Sequence, residues 1–244
     1  MTDFRSKLYE RYVSAFKDES STLREGELQA YFAWCEHKYL PLFAGLAPEA
    51  PILELGCGPG HMLRFLQAHG FRELTGIDVS AEQVRLAAAS GIEARVADVF
   101  EFLRAAERGF DAILAIDFFE HFSKDELLEL VPAIARALNP GGRLIVSTPN
   151  GEGLFPHQII YGDLTHMTIL TPESLQQLLR LWGFESFDFR ETGPVPKNLA
   201  GRVRLVLWGL IKRGANLARR IETGKSQRLW TENMICCARK GQDV

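Results

Sequence analysis

The segment Ile52–Gly60, ILELGCGPG, constrains the fold of this 244-residue chain more than any other part of the sequence. An apolar, strand-like run containing Glu54 leads into a turn with glycine at positions 56, 58 and 60. Glycine allows positive φ and leaves no Cβ between the backbone and a bound molecule. The residues that follow have helical spacing, so the turn brings its ligand to a helix N-terminus. We predict a strand, a glycine turn and a helix that bind a nucleoside.

Two further predicted strands end in carboxylates. The strand Leu74–Asp78 ends about 20 residues beyond Gly56, where an acid accepts hydrogen bonds from a ribose diol. The strand 94–97 is followed by Asp98 and by the N–H of Val99, which suit the amino group and a ring nitrogen of adenine. These strand ends predict an adenosine pocket. A dinucleotide site would have glycine in place of His61, so a nicotinamide dehydrogenase is disfavoured.

The rest of the chain alternates strands and helices. The predicted strands are 110–116, 143–148, 184–190 and 233–239, and the predicted helices include 125–138 and 174–182. Such alternation predicts an α/β fold with a doubly wound, mostly parallel sheet. The length and the 46% hydrophobic content are enough for one sizeable core.

The segments ELGCGPG, GIDVS and VADVF occur in this order and resemble the successive cofactor motifs of class I S-adenosylmethionine-dependent methyltransferases. The resemblance spans roughly residues 51–190. It implies a Rossmann-like seven-stranded sheet whose last strand is antiparallel, with S-adenosyl-L-methionine as the cofactor. It also implies that the glycine loop faces the methionine part of the cofactor. The predicted cofactor contacts are Glu54, Gly56, Cys57, Gly58, Gly60, His61, Asp78, Val79, Asp98, Val99 and Asp117.

On this resemblance, residues 1–50 form a helical flank or lid, and residues 51–244 form the methyltransferase domain. Insertions are expected at 149–170 and 191–231. The N-terminus lacks the apolar run of a secretion signal, and the four cysteines lack metal-ligand or disulfide spacing. We therefore expect a cytoplasmic protein, and we assign Cys236 and Cys237 no function.

Two segments after the fourth and fifth strands pair a carboxylate with an imidazole: DFFEH at 117–121 and YGDLTH at 161–166. Methyl transfer to a hydroxyl requires alignment and a proton acceptor, and histidine titrates near neutral pH. The candidates for the base are His121 and His166, with Asp163 orienting the imidazole or the acceptor. The competing interpretation is that these residues only cap a helix or tie a turn. We predict no metal, although Asp163, His166 and His121 offer mixed ligands.

The segment YGDLTHMTILTPESL resembles those of methyltransferases encoded with bacterial surface-polysaccharide and O-antigen enzymes. The stretch 9–46 also resembles theirs, and the likeness implies a sugar hydroxyl of a glycan or glycan precursor as the acceptor. The chain departs from that pattern at Gly162, Met167, Ile169 and Leu170. Two alternatives stay open: a small phenolic or quinone-precursor acceptor, and a non-catalytic scaffold that binds S-adenosylmethionine.

Residues 197–228 contain nine Lys or Arg and one acid, Glu222, in a chain whose net charge is −3. The segment therefore carries 9 − 1 = +8, and the remainder of the chain carries −3 − 8 = −11. Trp208 and several aliphatic residues lie among these charges, but the run is too short and too charged to span a bilayer. We expect it to contact an anionic membrane surface, at the inner face, or the phosphates of a linked glycan. The alternative is a helix packed on the sheet or on a second subunit, and nucleic acid is disfavoured.

Overall fold

The computed structural model describes residue 8, residues 23–106 and residues 109–242. Most of the predicted N-terminal flank before residue 23, including Tyr9, lies outside the described residues.

A single seven-stranded sheet runs through the described residues, in the order β3-β2-β1-β4-β5-β7-β6. Strand β7 is antiparallel to β5 and β6, and the other neighbours are parallel. The predicted fold class, a doubly wound sheet with an antiparallel last strand, is confirmed. The strands are β1 (Ile52–Leu55), β2 (Leu74–Asp78), β3 (Ala94–Val96), β4 (Phe110–Ile116), β5 (Leu138–Pro149), β6 (Phe184–Glu191) and β7 (Asn233–Lys240).

Helices connect the strands and cover both faces of the sheet. Short 3₁₀ turns lie at Leu40–Phe43 and Phe119–His121. The α-helices are α1 (Glu25–Lys38), α2 (His61–Ala68), α3 (Ala81–Ala89), α4 (Val99–Ala105), α5 (Lys124–Ala137), α6 (His157–Gly162), α7 (Pro172–Arg180) and α8 (Leu199–Thr223).

Most predicted elements are present, with boundaries that differ by a few residues. The largest difference is at β5, which begins at Leu138 instead of at the predicted Arg143. The run 139–142 lies between the predicted helix 125–138 and the predicted strand 143–148, and its backbone joins the strand, with φ of +73° at Gly141. The two predicted insertions contain the short helix α6 and the long helix α8.

Two apolar cores lie on opposite faces of the sheet. On one face, α5 and α7 pack against β1, β4 and β5, with Leu130 and Ile134 fully buried. On the other face, Cys35 and Tyr39 at the end of α1 pack with Phe65 of α2 and with the sheet. The N-terminal flank therefore belongs to the core of the domain over its described part.

Arg143 ties that flank to the sheet. Its buried guanidinium donates hydrogen bonds to the carbonyl oxygens of Leu42 and Ala44, the latter at 2.7 Å. Arg143→Met keeps the apolar stem but leaves both carbonyls without this donor. We expect the free energy of unfolding to fall by about 2 kcal/mol in urea titrations. Arg239 of β7 lies directly opposite Arg143 and is exposed, so Arg239→Met should change the free energy of unfolding by less than about 0.5 kcal/mol. Equal losses in the two variants would contradict this role.

Candidate active site

The parallel strands end at one edge of the sheet, and a cavity of about 320 Å³ opens there. The ends of β1, β2 and β4, the glycine loop, the start of α4 and one residue of α1 form its wall. The wall includes every predicted cofactor contact except Gly60. Ligands of open α/β sheets bind at this edge, as the sequence predicted.

The three glycines of the loop all have positive φ, but they do different things. A Cβ on Gly56, where φ is +65°, would lie 2.6 Å from Cδ2 of Phe118. Gly58 has φ of +52°, and a Cβ there would make only an ordinary contact, 3.9 Å from Gln83 Oε1. Gly60 caps the N-terminus of α2, and a Cβ there would lie 3.3 Å from side-chain atoms of Ala87 and Ile92. Gly60 is not among the residues that line the cavity, so its cofactor contact stays a prediction; its lack of a side chain allows α2 and α3 to pack closely.

Asp78 shapes the glycine loop from the end of β2. Its Oδ2 accepts a hydrogen bond from the N–H of Gly58 at 2.9 Å, and its Oδ1 accepts one from the N–H of Ser80 at 2.8 Å. Asp78 also lines the cavity, where a carboxylate can accept hydrogen bonds from a ribose diol. Asp78, which is predicted to bind the ribose, thus also holds the glycine loop in place.

Asp98 caps helix α4. Its Oδ1 accepts from the N–H groups of Phe100 at 2.9 Å and Glu101 at 3.2 Å. Val99 is the first residue of that helix, and the N–H of a first helical residue has no acceptor within the helix. Both residues lie on the cavity wall, where the predicted adenine contact requires an acceptor and a donor side by side.

Glu54 places a buried carboxylate on the wall of the cavity. Its Oε2 has no hydrogen-bond partner among the described residues. Burial, and then the Asp78 carboxylate, raise the pKa of Glu54 well above 4.5. A buried acceptor of this kind suits a donor or a cation in the cavity, because an unpaired buried polar group is costly.

Asp117 directly follows β4 and has a strained backbone conformation. Its φ is +47°, a region that residues other than glycine rarely adopt and that is enriched at functional sites. Its N–H donates to the carbonyl oxygen of Ser147, and its Oδ1 accepts from the Ser147 hydroxyl at 3.3 Å. The next residue is Phe118, whose ring lies over Gly56 and packs on Phe122 with the ring centroids 4.8 Å apart.

Three side chains form a linked chain that starts at the cavity. The Thr165 hydroxyl lies 2.6 Å from Asp163 Oδ1 and 2.8 Å from His121 Nδ1. An ionised carboxylate only accepts, so the Thr165 hydroxyl donates to Asp163 and accepts a hydrogen bond from the Nδ1–H of His121. In the tautomer that donates from Nδ1 to Thr165, the lone pair of the imidazole is on Nε2. We call His121, Thr165 and Asp163 the proton relay.

The two candidate bases occupy different places. His121 lies on the cavity wall, whereas His166 and Asp163 are not among the described residues that line it. The His121 and His166 rings are 5.0 Å apart, and His166 Nδ1 lies 3.3 Å from the carbonyl oxygen of Ile160. Burial, and then His166, lower the pKa of His121 to about 4, against the opposing influence of Asp163. The imidazole of His121 is therefore neutral near pH 7.

Glu120 anchors the segment that carries the relay. Its carbonyl oxygen accepts from the N–H groups of Met167 at 2.7 Å and Thr168 at 3.1 Å, and its Oε2 accepts from the Thr148 hydroxyl. Burial, and then Asp117, raise the pKa of Glu120 well above 4.5. Glu120, His121 and His166 also offer one ligand atom each within 4.8 Å of one another, a set that could hold a metal ion. This set has Glu120 where the sequence suggested Asp163.

The sequence did not identify Tyr31, Phe118 or Gln83, which also line the cavity. Tyr31 is the one described residue of the N-terminal flank on the wall, and burial raises the pKa of its phenol well above 10. The aromatic pattern of that flank was visible, but helical spacing alone does not show which ring faces inward. The signal for Phe118 was its position directly after β4.

Comparison with known proteins gives the family. The model of a family described as a methyltransferase domain matches residues 27–187. Among solved structures, a SAM-dependent methyltransferase from Archaeoglobus fulgidus superposes with a TM-score of 0.66 at 20% identity, over 96% of this chain and 99% of that one. Phosphoethanolamine N-methyltransferase 2 of Haemonchus contortus, in complex with S-adenosyl-L-methionine, gives 0.60 at 16% identity, over 96% and 60% of the chains.

Two curated relatives share shorter segments. The ubiquinone biosynthesis O-methyltransferase of Xylella fastidiosa is 34% identical over 107 residues, which are 41% of this chain and 42% of that protein. The probable tRNA methyltransferase 9B of Bos taurus is 34% identical over 100 residues, 41% of this chain and 21% of that protein. The chain thus spans less than half the length of these relatives. The family match covers well over half of this chain, and with the sheet order it shows that the chain belongs to the methyltransferase domain family.

Proposed function

We propose that the chain is an O-methyltransferase whose acceptor is a sugar hydroxyl of a glycan or glycan precursor. The observation that carries the transfer to oxygen is the proton relay, which connects a neutral imidazole on the cavity wall to a carboxylate behind it. A hydroxyl nucleophile must lose a proton, and a positioned base contributes about 10²–10⁴-fold to such a step.

The residues that line the cavity suit the chemical groups of the cofactor. Gly56 and Gly58 leave bare backbone on the wall, Asp78 and Asp98 place carboxylates at the ends of β2 and β3, and Glu54 offers a buried acceptor. We assign these residues to the cofactor's methionine, ribose and adenine parts in the order that the family resemblance implies. When bound, S-adenosylmethionine supplies an electrophilic methyl group on a sulfonium sulfur.

His121 takes up the proton of the acceptor, and the other two relay residues, Thr165 and Asp163, orient and stabilise its imidazole. His121 receives the proton at Nε2, while its Nδ1–H remains hydrogen-bonded to the Thr165 hydroxyl. Asp163 orients that hydroxyl and stabilises the positive charge that His121 gains, because opposite charges at short range favour the ionised form. Of the two bases that the sequence left open, we therefore favour His121, with His166 beside it.

The surface around the relay bears on the choice of acceptor. Tyr161, Leu164 and Met167 are exposed in the segment that carries Thr165, so an aromatic and apolar surface adjoins the relay. Such a surface suits the apolar face of a sugar ring, and the resemblance of YGDLTHMTILTPESL to polysaccharide-associated enzymes supports this acceptor. The alternative is a phenol, which the similarity to a ubiquinone biosynthesis O-methyltransferase favours.

The experiment is an acceptor screen with radiolabelled S-adenosylmethionine. One set contains nucleotide-linked and lipid-linked sugars and polymeric glycan, and the other contains catechols and phenolic quinone precursors. We expect label in the glycan set and base-stable methyl ether on a sugar carbon. Transfer to phenols alone would replace our acceptor by the alternative, and binding of S-adenosylhomocysteine without any transfer would favour a scaffold.

Removal of the relay hydroxyl should slow transfer without weakening cofactor binding. In Thr165→Val, His121 loses its Nδ1 acceptor and its link to Asp163, so we expect kcat to fall about tenfold or more. Thr168→Val is the matched control, since Thr168 is also buried but contacts Glu120 through its backbone N–H, which valine retains. Steady-state kinetics should show the loss in Thr165→Val only. Similar kcat values in the two variants would mean that the relay has no role.

The cavity carboxylate should make stability depend on pH. The folded pKa of Glu54 is raised above 4.5, so the folded protein binds more protons than the unfolded chain as pH rises from that value. Glu54 therefore contributes a free energy of unfolding that falls with increasing pH, by up to about 1.4 kcal/mol per pH unit. Urea titrations between pH 4.5 and the folded pKa should show a shallower decline for Glu54→Gln. Parallel pH profiles for the two proteins would exclude a raised pKa at this site.

A further inference from the structure

Helix α8 carries an exposed apolar surface that the active site does not use. Leu199 and Ile221, near its two ends, are 78% and 80% exposed. Between them, Val203, Val206, Leu210 and Leu217 are each at least half exposed. At about 100° per residue these positions fall within an arc of about 60°. We call these six residues the apolar stripe.

The stripe faces away from the domain, because polar contacts hold the opposite side of α8. Trp208 Nε1 and Lys212 Nζ donate to Glu191 Oε2 at 3.4 and 2.6 Å, and Glu191 ends β6. Further along, Asn216 Oδ1 accepts from the N–H of Gln227, whose side-chain amide reaches the carbonyl oxygen of Glu152. These contacts fix α8 at the sheet edge where the cavity opens, with its most apolar side outward.

Basic side chains flank the stripe. Arg202, Arg213 and Arg220 are exposed and project along one border of the stripe on the same helical projection. Within α8 there are six Lys or Arg and one acid, Glu222, so the helix carries 6 − 1 = +5. An apolar stripe bordered by arginines is the pattern of helices that lie in the plane of an anionic lipid surface.

We propose that α8 binds the surface of an anionic membrane, with the apolar stripe among the acyl chains and the arginines on the lipid phosphates. No helix of the described part of the chain is long and apolar enough to cross a membrane. A second copy fits this face less well. Two stripes packed together would bring the arginines of both helices close to one another, with only Glu222 on each helix to offset them.

Vesicle sedimentation tests the proposal. We expect the protein to bind vesicles of phosphatidylcholine with phosphatidylglycerol at least tenfold more tightly than phosphatidylcholine alone, and to dissociate in high salt. Val206→Glu with Leu210→Glu should reduce binding at least tenfold. Arg202→Gln with Arg213→Gln should reduce it roughly fivefold per charge. Leu128→Glu is the matched control, since Leu128 is an exposed leucine of α5 and its change should leave binding unaltered.

None of these residues lines the cavity, so each folded variant should still bind S-adenosylhomocysteine. Calorimetry with this ligand therefore tests whether a variant is folded. Three results would overturn the proposal. The first is equal binding to neutral and anionic vesicles, or to neither. The second is unchanged binding of the stripe variant. The third is a dimer that the stripe variant converts to a monomer with no change in vesicle binding, which would assign the stripe to a second copy.

Discussion

His121→Asn should lower kcat by about 10²–10⁴-fold and leave the Kd of S-adenosylhomocysteine within a few-fold of the original value. Asparagine retains a donor for the Thr165 hydroxyl but has no nitrogen that can accept a proton. The loss should therefore appear in the chemical step and not in cofactor binding. Single-turnover measurements with the acceptor identified in the screen, together with calorimetry, separate the two.

His166→Asn is the comparison that gives this result its meaning. His166 packs against His121 but is not among the described residues on the cavity wall, so its loss should cost less than about tenfold in kcat. A larger loss in His166→Asn than in His121→Asn would transfer the role of base to His166. Small losses in both would remove the imidazole pair from the mechanism.

Gly56→Ala should weaken cofactor binding by about 100-fold, which corresponds to about 2.7 kcal/mol. Alanine at φ of +65° is strained, and its Cβ would lie 2.6 Å from the Phe118 ring, so Phe118 must move. That ring forms part of the cavity wall and packs on Phe122, so its displacement changes the shape of the site. Calorimetric titration with S-adenosylhomocysteine measures the effect.

Gly91→Ala separates backbone strain from the collision. Gly91 has φ of +77°, and a Cβ there would meet nothing within 4 Å. This variant should lose stability by about 1–2 kcal/mol and keep the original Kd within about threefold. If Gly91→Ala weakened cofactor binding as much as Gly56→Ala does, the effect would arise from general destabilisation and not from the collision with Phe118.

The sequence predicted the sheet and most of the residues that line the cavity, because both depend on local patterns. Glu54 lies near the end of its strand, Asp78 ends its strand, and Asp98 follows its strand, so a parallel sheet brings all three to one edge whatever the details of packing. Gly60 shows the limit of this argument. All three glycines have positive φ, but only the fold shows that Gly60 turns toward α3.

The arrangement of the proton relay depends on contacts between distant parts of the chain. Thr165 lies 44 residues from His121, and the relay exists because Glu120 binds the backbone of Met167 and Thr168. No local pattern contains this pairing, so the sequence could name both histidines but could not choose between them. The segment 197–228 is similar: its charge was visible, but the outward direction of its apolar stripe depends on the contacts with Glu191.

The central claim is that this cavity binds S-adenosylmethionine and does not bind a dinucleotide. Calorimetric titration of the purified protein with S-adenosylhomocysteine and, in parallel, with NADH tests it directly. We predict micromolar binding of S-adenosylhomocysteine, its marked loss in Gly56→Ala, and no binding of NADH. Binding of NADH alone, or of neither ligand, would contradict the account and leave Gly56 and Gly58 as parts of a tight turn.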